Sequence, residues 1–120
     1  MGESQKKKPY DLEERTLHFA KRAFQYFKNL PRNPVNVEVA QQGIRSSGSM
    51  GANFIEANEA LSRKDFIMRV KVSRKESKET IYWLRLSEPS GAQEQERNAL
   101  IAEATELMKI FGAIIEKSKT

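Results

Sequence analysis

Three carboxylates, Glu56, Glu76 and Glu79, have the strongest claim to chemistry in this chain. Paired carboxylates can do general acid–base work, or hold a metal when histidine joins them. The only histidine, His18, has no second His and no Glu-x-x-His pair at ligand spacing. There is no cysteine, which removes thiol nucleophiles, disulfides and thiolate metal sites. Gly48-Ser49-Met50-Gly51-Ala52 carries two glycines but no phosphate-loop lysine, and no strand pattern precedes it. No serine sits in a strand-turn-helix elbow. A nucleophile, a base and an orienting group cannot be assembled from these residues. They point to a protein that is not an enzyme, uses no cofactor and no metal, and gives its carboxylates a structural role.

The second kind of chemistry is phosphate binding. The formal net charge is +5, and it is concentrated: residues 63–85 hold eight Lys/Arg against three Asp/Glu. Lys71, Arg74, Lys78 and Arg85 recur at steps of three, four and seven, which aligns them as a ridge on a helix. Such a ridge suits the backbone of RNA or DNA, with steep salt dependence. No aromatics interleave with it, so base stacking is not signalled, and no sequence-reading module is present. The competing reading is that these residues only solubilise a helix face.

These residues sit on four helical patterns separated by three breaks. The first pattern spans about 11–29, with Leu12, Phe19, Ala23, Phe27 and Leu30 on one face and Thr16 in the gap. Pro31 and Pro34 end it, and Asn36 is positioned to cap the second, spanning about 37–61. Val37, Ile44, Gly48, Gly51 and Ile55 fall on one narrow face there, which predicts that face as core. Mid-helix glycines cost about 1 kcal/mol each against alanine, so a neighbouring backbone should approach closely; a break near Ser46–Ser49 is the alternative. Ser62-Arg63-Lys64-Asp65 is a capping-box pattern that starts the third helix, and Glu88-Pro89-Ser90-Gly91 stops it. The fourth spans about 92–117, striped by Leu100, Ala104, Leu107, Phe111, Ile114 and Ile115 with Met108 alongside. Short loops between long helices predict an antiparallel up-down-up-down four-helix bundle over residues 11–118. Residues 1–10, with Lys6-Lys7-Lys8, read as a disordered basic leader without the apolar segment of a signal peptide. No run approaches the roughly 18 apolar residues of a membrane span, and a cytoplasmic protein with no membrane contact is expected.

The third helix has more apolar surface than one core can use. Phe66, Val70, Ser77, Ile81 and Leu84 make its core stripe. Met68, Val72 and Leu86 lie roughly opposite, with Tyr82 and Trp83 on either side, and Lys75 and Glu79 share that second face. Aromatics and methionine are enriched where surfaces meet partners, so this face predicts contact with another subunit. The competing reading is that loops or the leader cover it. On the second helix Arg45, Ser49, Ala52 and Glu56 line one edge, with Asn53 nearby. Arg45, Asn53, Glu56 and Glu76 are thus expected to form a polar network with Lys75 and Glu79, between helices or between subunits.

Three motifs carry a family resemblance: Arg45-Ser46-Ser47-Gly48-Ser49-Met50-Gly51-Ala52-Asn53-Phe54-Ile55-Glu56-Ala57, Ser62-Arg63-Lys64-Asp65-Phe66-Ile67 and Lys75-Glu76-Ser77-Lys78-Glu79-Thr80-Ile81-Tyr82-Trp83-Leu84. They resemble the four-helix bundle proteins encoded in intervening sequences of 23S ribosomal RNA genes, over about residues 10–117. That resemblance implies a ring-like homopentamer. The chain is also similar to the accessory protein of diversity-generating retroelements, a pentamer that binds nucleic acid and a reverse transcriptase. The motif residues here are Arg45, Gly51, Asn53, Glu56, Asp65, Lys75, Glu76, Glu79, Tyr82 and Trp83. The expected function is a nucleic-acid-binding accessory factor. The alternative is a scaffold that recruits a protein such as a reverse transcriptase.

Overall fold

The computed structural model describes residues 11–119. The leader, expected to be disordered, lies outside them. Four α-helices follow in order: α1 (Leu12–Lys28), α2 (Pro34–Asn58), α3 (Arg63–Leu86) and α4 (Glu94–Ser118), the last entered through a 3-10 turn (Gly91–Gln93). Each packs on its neighbour in sequence, and α4 closes back on α1 with a thinner contact. None is long and apolar enough to cross a membrane.

The helix starts show why the chain breaks where it does. Asp11 and Ser62 cap α1 and α3 by accepting the backbone N–H of Glu14 and Asp65. For α2 the cap is Asn33, not Asn36, and the helix starts one turn earlier than expected. Pro34 sits at the first helical position, where its missing N–H is no loss, and Asn33 Oδ1 accepts from Asn36 N at 2.8 Å. Asn36 itself is buried inside the first turn. Its amide Nδ2 donates to Pro31 O and Glu88 O at 2.7 and 2.9 Å, and its Oδ1 accepts from Glu88 N at 2.9 Å. One side chain thereby joins the α1–α2 turn to the loop after α3.

The core holds Phe19, Phe27, Met50, Phe54, Val70, Leu84, Leu107 and Phe111, all buried. α2 is one unbroken helix, but its buried face is not the expected one. Gly43, Ser46, Ser47, Met50, Phe54 and Ala57 point inward, while Val37 and Ile44 are half-buried and Ile55 is 47% exposed. The reason is the seam with α3. Ser46 and Thr80 share a hydroxyl hydrogen bond at 2.8 Å, and Ser73 Oγ donates to Met50 O at 2.9 Å. Side chains this small let two helices approach closely, and their hydroxyls remain satisfied. The glycines serve the other side of α2. A Cβ on Gly51 would lie 2.6 Å from Thr16 Oγ1, and one on Gly43 would overlap the buried Phe27 ring. The close approach is therefore made by α1 side chains.

Candidate functional site

The outer face of α3 stays open among the described residues. Met68 and Tyr82 are each 57% exposed and Leu86 43%, with Val72 and Trp83 half-buried. No described loop covers them. Tyr82 and Trp83 meet edge to face with centroids 5.1 Å apart, which stiffens one end of the strip.

Charged groups edge this strip on the α2 side. Glu76 is buried. Arg45 Nη1 stands 4.0 Å from its Oε1, Lys75 Nζ 3.9 Å from its Oε2, and Arg45 Nη2 3.9 Å from Glu79 Oε1. These are ion-pair distances too long for hydrogen bonds, and no donor among the described residues reaches Glu76 Oε1. Burial holds the Glu76 carboxyl above the usual carboxylate range and Glu79 adds to that, against the weaker pull of Arg45 and Lys75. The Trp83 indole N–H is likewise buried without an acceptor. Glu76 and Trp83 are seven residues apart on one edge of α3, so both unsatisfied groups lie beside the open strip.

The four-residue network expected from sequence resolves into separate pieces. Arg45 and Glu76 come together as expected. Asn53 instead accepts from Arg69 Nη1 at 3.0 Å and donates to Ser49 O at 2.9 Å. Glu56 lies eleven residues beyond Arg45, about 16 Å along the helix. There it lines a shallow groove of about 520 Å³ with Glu59, Asp65, Met68, Arg69 and Val72.

The basic ridge occupies the opposite edge of α3, toward α4. Lys71, Arg74, Lys78 and Arg85 are all exposed, and none is in an ion pair among the described residues. Arg74 lays its aliphatic stem beside Gly112 of α4, 3.9 Å from where a Cβ would stand. Its Nη1 lies at the same distance, so the guanidinium also packs against α4 while the residue as a whole stays exposed. His18 is exposed on α1, and no cluster of three or more His, Asp or Glu among the described residues could hold a metal.

Two polar features escaped the sequence. Arg15 grips Glu103 at 2.7 and 3.0 Å, and Arg22 grips Glu96 at 3.1 and 3.0 Å, both bidentate across α1 and α4. Pairs that far apart in the chain leave no periodic signal. The Asn36 clamp is the second; an asparagine just after two prolines reads first as a cap.

The model of the 23S rRNA-intervening sequence protein family matches residues 9–113. The chain belongs to that family. A crystal structure of a protein of unknown function from the S23 ribosomal protein family, from Bacteroides thetaiotaomicron VPI-5482, is similar at 31% identity. The similarity covers 88% of this chain and 95% of that one, with a TM-score of 0.72. No curated protein matches the chain. For this member of the 23S rRNA-intervening sequence family, the Arg45–Glu76–Glu79 cluster, the α3 strip and the ridge all fall within the matched region.

Proposed function

We propose that the chain is a non-enzymatic subunit that self-associates through the outer face of α3 and presents its basic ridge to the phosphate backbone of RNA or DNA. The observation that carries this reading is the geometry of α3: open apolar side chains and four exposed cations, without ion pairs among the described residues, lie side by side on one helix. Assembly into the homopentamer suggested by the family resemblance would repeat the ridge around an axis. Repetition turns weak phosphate contacts into useful affinity through avidity.

The test joins sedimentation with binding. The protein should run as an oligomer and bind random-sequence RNA or DNA at low salt, with affinity falling steeply as salt rises. Reversing Lys71, Arg74 and Lys78 to Glu should leave the oligomer intact and weaken binding by more than about tenfold. Binding that survives this reversal removes the ridge from the proposal. Salt-insensitive capture of one protein, such as a reverse transcriptase, with no nucleic-acid binding would replace it with the scaffold reading.

A further inference from the structure

The groove beside the α2–α3 turn has an apolar floor and an acidic rim. Ala60, Leu61, Met68 and Val72 make the floor, with Leu61 98% exposed and Met68 57%. Glu56, Glu59 and Asp65 make the rim, and none of the three is in an ion pair among the described residues. Arg69, the cation in the lining, is turned to Asn53, to which its Nη1 donates at 3.0 Å. Arg63 and Lys64 open α3 without entering the lining. Open apolar side chains among unpaired carboxylates fit a ligand that is cationic at its tips and apolar along its stems. A run of lysines has that character, because the butyl stem covers apolar surface while the ammonium stays at the polar edge.

The chain carries such a run and delivers it to this end of the bundle. The described residues begin at Asp11, and Lys6-Lys7-Lys8-Pro9-Tyr10 directly precede it. α1 starts against the end of α2: Glu13 Oε2 accepts from Asn58 Nδ2 at 2.7 Å. Asn58 is the last residue of α2, and Glu59 of the groove's rim follows it. From Asp11 to the groove the chain has only to cross the end of α2, a helix about 10 Å across with its side chains. Lys8 stands three residues before Asp11 and Lys6 five, which gives reaches of up to about 10 and 17 Å. The lysines therefore arrive where the unpaired carboxylates are.

We propose that Lys6-Lys7-Lys8 docks in the groove of its own chain, with its stems on Leu61 and Met68 and its ammonium groups among Glu56, Glu59 and Asp65. Each of these exposed ion pairs is weak alone. Tethering makes the contact intramolecular, so the lysines act at high effective concentration. Salt screens the contact and weakens it. The docking does not depend on self-association, but it bears on the surface available for it. Met68 and Val72 belong both to the groove and to the outer face of α3. A docked segment covers that end of the face and leaves Tyr82, Trp83 and Leu86 open to a partner.

Zero-length carbodiimide coupling of the full chain at low salt, read by mass spectrometry, tests this. Lysines 6–8 should be joined to Glu56, Glu59 or Asp65 severalfold more often than to Glu88 or Glu94 at the other end of the bundle. High salt should remove the preference. In a mixture of ordinary and heavy-isotope-labelled protein, each joined pair should carry a single isotope. Glu56→Lys with Glu59→Lys, both at exposed positions, should reduce coupling to Asp65 severalfold. Adding Lys6→Glu, Lys7→Glu and Lys8→Glu to that variant should restore the contact with its polarity reversed, joining positions 56 or 59 to positions 6–8. A groove with only a structural role would not produce that rescue. Equal yields at the two ends of the bundle, pairs of mixed isotope, or failure of the reversed charges to couple would each overturn the proposal. None of these outcomes touches self-association through α3, which sedimentation of the wild type reads separately.

Discussion

The α2–α3 seam and the α1–α4 seam hold the same bundle together by opposite means. Between α2 and α3 the polar contacts are made by Ser46, Ser73 and Thr80, all fully buried, with hydroxyls bonded to each other or to backbone carbonyls. Between α1 and α4 two arginines reach across to glutamates at a partly exposed rim. The first seam depends on side chains being small and dry. The second depends on side chains being long and solvated. A rigid pair of helices thus lies under the candidate site, and a more forgiving joint lies on the side away from it.

The sharpest way to break that contrast is to enlarge one buried hydroxyl. Ser73→Leu forces bulk between α2 and α3 and removes the bond to Met50 O, with an expected loss of about 3 kcal/mol in urea unfolding. A loss below about 1 kcal/mol would show that the seam is not closely packed. Glu76 offers a subtler probe at the rim of the same seam. Its carboxyl is held above the usual range in the folded chain, so across that window the fold binds more protons than the unfolded chain. Stability from this group is therefore greatest at acid pH and is lost as pH rises through the raised value. Glu76→Gln should remove that slope, and the difference between the wild-type and variant pH profiles isolates it; identical profiles would refute the burial argument. The smallest effect belongs to the other seam. A double-mutant cycle on Arg15 and Glu103 should give a coupling of about 0.5 kcal/mol that shrinks further in high salt.

Much of this was legible in the sequence. The four helices, the proline break, the Ser62 cap and the two-faced α3 follow from periodicity and from residues whose local roles are strong. The buried face of α2 was not legible, for a physical reason. Hydrophobic patterning follows large apolar side chains, and on α2 Val37, Ile44 and Ile55 lie at or outside the edge of the core, while the core side is built largely from glycine, serine and alanine beside Val39, Met50 and Phe54. Close packing selects for size there, and serine carries no hydrophobic signal. The candidate site was half legible. Arg45 meets Glu76 and Glu79 as their positions suggested. Asn53 turns instead to Arg69, because the amide lies two turns further along α2, level with a different turn of α3.

The Asn36 amide has a consequence for how the chain comes apart. α1 with α2, and α3 with α4, are helical hairpins that close over short sequence distances. Such hairpins can open one at a time, and a bundle made of two of them can lose cooperativity. Asn36 belongs to the first hairpin, yet three of its four hydrogen-bonding valences are filled by Pro31 and by the Glu88 backbone that leads into the fourth helix. Neither hairpin can open at that end without stripping a buried amide of its partners. Amide hydrogens in the first turn of α2 and around Glu88 should therefore exchange together and slowly. The opposite end, where Leu61 is 98% exposed, is where fraying begins.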